Sequence, residues 1–233
     1  MIEAKELRKE YNQGHIALQG LNLKINPGEI YCLLGSNGAG KSTTINLFLD
    51  FIKPTSGQGF INGKEVALHG PETKADIAYI PENLMLYPQL SGLENLDFFC
   101  GLAGHDKSKE ELMDLLIGSG LQQKFITEKV KNYSKGMRQK VGIALTKAKQ
   151  AKVLLLDEPT SGLDPKASNE FSDLLLEMKK KGLATLMATH DLFRAKETGT
   201  HIGIMKEGVL LESFAASDVS FKELENLYLQ HMH

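Results

Sequence analysis

The sequence predicts an α/β fold with a mainly parallel sheet. Two continuous apolar runs, Ile30–Leu34 and Val153–Leu156, have the length and branching of strands buried on both faces. Segments of helical spacing alternate with such runs along the chain, as crossover connections between parallel strands require. A third observation sits between the two runs. From about Leu84 to Lys149 the apolar residues recur at helical intervals, so a helical lobe is expected to interrupt the α/β core.

The elements are expected in the following order. Residues 2 to about 34 read as short strands, with Leu18, Leu21, Leu23 and Ile25 apolar and Asn26-Pro27-Gly28 as a turn. After Leu34 a Gly-rich loop leads into a helix from about Lys41 to Asp50. Lys53-Pro54-Thr55-Ser56-Gly57 breaks the chain, and Gly59 to Val66 forms a hairpin about Asn62-Gly63. In the helical lobe the apolar positions are Leu93, Leu96 and Phe99, then Leu112, Leu115 and Leu116, then Val141, Ala144 and Leu145. Lys166 to Lys181 is helical and stops at Gly182, and Ala184 to Ala188 is a further strand. Short strands and a last helix complete the chain. Its ELENLYLQ segment differs by one residue from a common engineered cleavage site; the helical spacing of Phe221, Leu224 and Leu227 favours a native element over a scar.

Composition narrows the function classes. The 233 residues are 42% hydrophobic and 24% charged, in the range of ordinary globular proteins. A net charge of −2 gives no electrostatic basis for a nucleic-acid partner. No apolar run approaches the ~20 residues that span a bilayer. The opening MIEAKELRKEY is charged, so no secretory leader is expected there. Cys32 and Cys100 have no metal-type spacing; Cys32 is expected in the core, and nothing points to a disulfide framework, which fits a reducing cytoplasm.

Two motifs carry chemistry. Gly35-Ser36-Asn37-Gly38-Ala39-Gly40-Lys41-Ser42 matches G-x-x-x-x-G-K-[ST] between a strand and a helix. Its glycines let successive backbone N–H groups converge, and with the helix N-terminus they form an anion cradle. Lys41 is expected at the β- and γ-phosphates, Ser42 on Mg²⁺ and Thr43 at the α-phosphate. The second motif is Asp157-Glu158, which closes the apolar strand from Val153. Asp157 can hold Mg²⁺ through water, and Glu158 can polarise an attacking water.

With these in place, the chain resembles the nucleotide-binding subunits of ABC transporters in order along nearly its whole length. Tyr11 matches the aromatic that stacks on adenine, Tyr133-Ser134-Lys135-Gly136-Met137-Arg138-Gln139 the signature loop, Ser161-Gly162-Leu163-Asp164 the D-loop, and His190 the switch histidine. The resemblance implies an ABC-ATPase version of the P-loop NTPase fold. That fold has a RecA-like core with an antiparallel β subdomain (residues 1–83 and 150–233) and an inserted helical subdomain (84–149). It also implies ATP and Mg²⁺ as cofactors and a second ATPase subunit, identical or not. Ser134, Gly136 and Asp164 would then act on the nucleotide of the opposing chain. A separate membrane permease would complete the assembly at the cytoplasmic face of the membrane.

YSKGMRQ is similar to ATPases of the ABC-2 export type. Ile80-Pro81-Glu82-Asn83 with Tyr87-Pro88-Gln89-Leu90-Ser91-Gly92 resembles the subunit serving nitrous-oxide reductase copper-site maturation. Three positions depart from the common pattern: Glu82, Lys135 and Met137. Glu82 stands where the family usually has a Gln that contributes oxygen to Mg²⁺; a carboxylate is a working substitute. Lys135 replaces a glycine and is either a charge facing the opposing phosphate or a solvated lysine. Among rivals, DNA-repair ATPases of this type need long coiled coils, which this sequence lacks. A soluble ATPase for cofactor or metal-cluster assembly has similar length; the YSKGM signature weighs against it. A P-loop kinase would need neither signature nor D-loop.

Overall fold

Alternation along three buried strands sets the architecture. In β3 (Ile30–Leu34), Tyr31 and Leu33 face one apolar cluster, while Ile30, Cys32 and Leu34 face another. In β7 (Val153–Asp157), Val153 and Leu155 divide from Leu154 and Leu156 in the same way. In β8 (Ala184–Thr189), Leu186 and Ala188 oppose Met187. Successive side chains of a strand point to opposite faces, so each face needs its own cover.

The computed structural model describes residues 1–232; His233, the last residue expected in the core, lies outside them. Among the described residues, β3, β7 and β8 join β6 (Ile77–Ile80), β9 (His201–Lys206) and β10 (Val209–Ala215) in a sheet of order β10-β9-β3-β8-β7-β6. All its pairings are parallel except β9 with β10, which is antiparallel. One face is covered by α6 (Pro165–Lys180), α7 (Leu192–Thr198) and α8 (Phe221–Met232), which supply Phe171, Leu175, Met178, Ala195 and Leu224. On the other face lies α1 (Lys41–Phe48), backed by an antiparallel sheet. That sheet comprises β1 (Ile2–Glu10), β2 (Ile16–Ile25), β4 (Ser56–Ile61) and β5 (Lys64–Glu65). Phe48 of α1 is fully buried among Leu7, Leu18 and Ile61 of that sheet's apolar face. The α/β class with a parallel core and an antiparallel β layer is therefore as the sequence indicates.

A third cluster is built by α3 (Gly92–Leu102), α4 (Lys109–Ile117) and α5 (Lys135–Ala148), around Leu93, Leu96, Leu112, Leu116, Val141 and Ala144. Ser91 and Ser108 each start a helix through a reciprocal capping box with Glu94 and Glu111, so two donors are satisfied at each start. Helix formation begins only at Gly92, later than Leu84 suggested. The intervening loop is held by Asn95, fully buried, whose amide exchanges hydrogen bonds with the Tyr87 backbone at 2.7 and 3.0 Å.

Other differences from expectation are local. Helix α1 ends at Phe48 because Asp50 takes a left-handed φ of 56° and its carboxylate holds Lys53 at 2.7 Å. Helix α2 (Gly70–Asp76) and strand β6 carry no clear sequence signal, since such short elements are too brief to show a period. Cys32 is fully buried as expected, and burial pushes its thiol up to about 12. No helix among the described residues is long and apolar enough to cross a membrane.

Candidate nucleotide site

The loop after β3 turns at the end of the parallel sheet, where ligands of open α/β sheets bind. Gly40 begins α1 with φ 105°, and a Cβ there would lie 2.6 Å from the Ala17 carbonyl oxygen, so only glycine lets the loop pass that closely over β2. The result is a cleft lined by Tyr11, Ala17, residues 36–43, Glu82, Asp157 and Glu158.

Lys41 is almost fully buried, and its Nζ donates to the carbonyls of Gly35 at 2.6 Å and Ser36 at 3.2 Å. Burial lowers its pKa, opposed by the charges of Glu158 and Asp157. Burial raises the Asp157 pKa, opposed by a hydrogen bond from Ser42; the Glu158 charge adds to the rise. Glu158 follows β7 with φ 46°, a left-handed value uncommon for a residue with a side chain. Its N–H donates to the Ala188 carbonyl at 2.9 Å, which fixes it against β8. Its Oε2 accepts from Thr189 Oγ1 at 3.2 Å and lies 2.9 Å from His190 Nδ1. Its Oε1 is buried without a hydrogen-bond partner, 3.8 Å from Lys41 Nζ. Glu158 lines the cleft, and a carboxylate there can accept a proton from a water placed beside it.

Tyr11 sits at the rim, 39% exposed, stacked near His15 at 6.4 Å with Lys9 Nζ 5.1 Å from its ring centre. Glu82 is exposed; its Oε1 accepts from Ser161 Oγ at 3.0 Å and lies 3.8 Å from Lys135 Nζ. Lys135 is only 24% exposed, so it is held rather than freely solvated. Sequence reasoning missed this pair, because its members lie far apart along the chain and no local pattern links them.

Four of the predicted residues lie outside the cleft lining: Ser134, Gly136, Asp164 and His190. Ser134 caps α5, accepting from the Met137 N–H at 3.2 Å, and is itself exposed. Asp164 caps α6 through the Ala167 N–H at 2.9 Å and is also exposed. A Cβ on Gly136 would come within 3.2 Å of Ala167, so the two capped helix starts pack side by side. The contact of His190 with Glu158 nevertheless ties it to the cleft.

The oxygens of Ser42, Asp157 and Glu82 are hard donors suited to Mg²⁺. Among the described residues no three His, Cys, Asp or Glu side chains gather as a metal cluster. This donor set suits an ion that takes its remaining ligands from phosphate and water.

A family model described as ABC transporter matches residues 18–161, a span that holds both the phosphate loop and the Asp157-Glu158 pair. The chain belongs to the ABC transporter ATP-binding family. A lantibiotic transport ATP-binding protein of Streptococcus pyogenes is 32% identical over 227 residues, covering 97% of this chain and 96% of that one. The structure of an ATP-binding subunit of an ABC transporter superposes with a TM-score of 0.87 at 29% identity, covering all of both chains. A dimeric, post-hydrolysis ATP-binding cassette bound to ADP and Pi superposes at 0.83 with 27% identity, over 93% of this chain and 99% of that one. As a member of this family the chain is an ATP-binding ATPase subunit of an ABC transporter.

Proposed function

We propose that two copies of this cassette, or one copy and a related chain, close head to tail on ATP and drive a separate membrane permease that exports its substrate. The observation that carries the dimer is the division of the site. Phosphate loop, Lys41, Glu158 and His190 meet at one cleft, whereas Ser134, Gly136 and Asp164 present an exposed hydroxyl, a glycine and a carboxylate elsewhere. A nucleotide in the cleft is therefore contacted on one side only, and a second chain supplies the other. The dimeric cassette bound to ADP and Pi supports this geometry, and the lantibiotic-transport relative supports export.

Each residue then has a role. Tyr11 stacks on adenine. Ser36, Asn37, Gly38, Ala39 and Gly40 turn their N–H groups to the phosphates, and Lys41 reaches the β- and γ-phosphates. Thr43 contacts the α-phosphate. Ser42, Asp157 and Glu82 would hold Mg²⁺, which when bound would neutralise charge on the phosphates. Glu158 takes the proton of the attacking water, and His190 holds Glu158 and the γ-phosphate in place. Ser134 and Gly136 bind the γ-phosphate of the opposing subunit, and Asp164 contacts its phosphate loop. Residues 84–149 act as the helical signature lobe, and residues 1–83 and 150–233 as the core. The loop after Glu82 and the exposed side chains of Met85 and Tyr87 offer an apolar surface to the permease at the cytoplasmic face.

Affinity purification of the tagged chain from detergent-solubilised membranes of its own host tests the assignment. A co-purifying polytopic membrane protein is expected, released when Met85 and Tyr87 are both changed to Asp. Recovery of ATPase activity only in the soluble fraction, with cluster-assembly proteins bound, would favour the soluble-assembly alternative.

A further inference from the structure

We infer that Lys135 is a positioning residue, which clasps Glu82 across the junction of the core and the helical cluster and holds the signature loop against the core. The inference rests on the site assignment above and adds a residue to it.

Three segments meet at one carboxylate. Glu82 follows β6 of the core, Lys135 opens α5, and Ser161 lies in the loop after β7. Ser161 Oγ donates to Glu82 Oε1 at 3.0 Å, and Lys135 Nζ lies 3.8 Å from the same oxygen. The hydroxyl orients the carboxylate, and the ammonium ties it to the signature loop.

Helix α5 supplies an independent argument. A helix N-terminus carries a partial positive charge, so a lysine in its first position is unfavourable and an acid there is favourable. Helix α5 begins with Lys135 directly after its cap Ser134 and has no acidic residue in its first turn. Glu82 supplies from outside the helix the negative charge that the first turn lacks. Glu for the usual Gln and Lys for the usual Gly are thus two departures with one physical consequence: opposite charges placed face to face.

The site assignment gives Glu82 to Mg²⁺ when Mg·ATP binds, so its carboxylate must then leave Lys135, and a chain without the clasp should close more readily. Both partners are partly exposed, which limits the effect to about twofold to fivefold, as for other half-exposed pairs. The first test is amide exchange at residues 136–138 in the nucleotide-free full chain. Glu82→Gln leaves Lys135 unpaired at the helix start and should speed exchange about twofold to fivefold. In a Lys135→Met background the same change should have almost no effect. An equal effect in both backgrounds, or none in either, overturns the clasp.

The second test is the KM for Mg·ATP of Lys135→Met. The clasp predicts a KM lowered about twofold to fivefold with kcat nearly unchanged, and wild-type behaviour for Lys135→Arg. An unchanged KM overturns the proposal. A raised KM also overturns it and assigns Lys135 to the opposing phosphate. Nucleotide affinity of Lys41→Ala separates the two levels. If that affinity collapses while the Lys135 tests fail, the site assignment stands and only the clasp falls.

Discussion

Glu158→Gln should bind ATP with near-normal affinity and hydrolyse it on the order of 10²–10⁴-fold more slowly, the range for loss of a general base. The substitution keeps the shape of the side chain and the backbone anchor from the Glu158 N–H to Ala188. An amide oxygen can still accept from Thr189 and approach His190, as Glu158 Oε2 does now. The lost function is the carboxylate's basicity at the cleft that Glu158 lines. An amide group there cannot take a proton from water. Closed complexes should therefore accumulate in ATP, visible as a mass doubling by light scattering. Turnover close to the wild-type rate would remove Glu158 from the chemistry.

Lys41→Ala should instead fail at binding. Its ammonium is buried, held by two loop carbonyls, and close to two acids. A hydrogen bond to a charged group contributes about 1.5–3 kcal/mol, so ATP affinity should fall by roughly 10- to 150-fold. The carboxylates of Asp157 and Glu158 would also face the incoming phosphates with less compensation. Titration with a fluorescent ATP analogue reads the loss, and circular dichroism confirms that the variant is folded. Unchanged affinity in a folded variant would contradict the role assigned to Lys41.

The readable parts of this chain were those where a local pattern meets a strong physical demand. Ile30–Leu34 and Val153–Asp157 had to be continuous apolar runs because both sheet faces are covered. The phosphate loop was legible because its glycine spacing answers a backbone requirement, seen at Gly40. Helix α2 and strand β6 were not, because short elements are fixed by neighbours: β6 by its parallel pairing with β7 from Ile77 to Ile80. The first helix of the cluster begins at Gly92 rather than near Leu84, because the loop before it owes its order to buried Asn95, a polar residue no apolar period would select. The Glu82–Lys135 contact depends on the meeting of two distant segments, which only the folded chain displays.

The central claim is that each ATP is shared between two chains, and a disulfide reports it most directly. Ser36 and Ser134 are both exposed, while the native Cys32 and Cys100 are buried and should stay silent. In a chain carrying Ser36→Cys, Ser134→Cys and Glu158→Gln, mild oxidation with Mg·ATP should give a covalent dimer on a non-reducing gel. Either substitution to cysteine alone, or the pair without nucleotide, should give little. Disulfides form only when the two Cα atoms approach within about 7 Å, so the product requires the phosphate loop of one chain against the signature of the other. A chain that binds ATP yet forms no intermolecular crosslink, or joins its two introduced thiols within one monomer, would contradict the shared site.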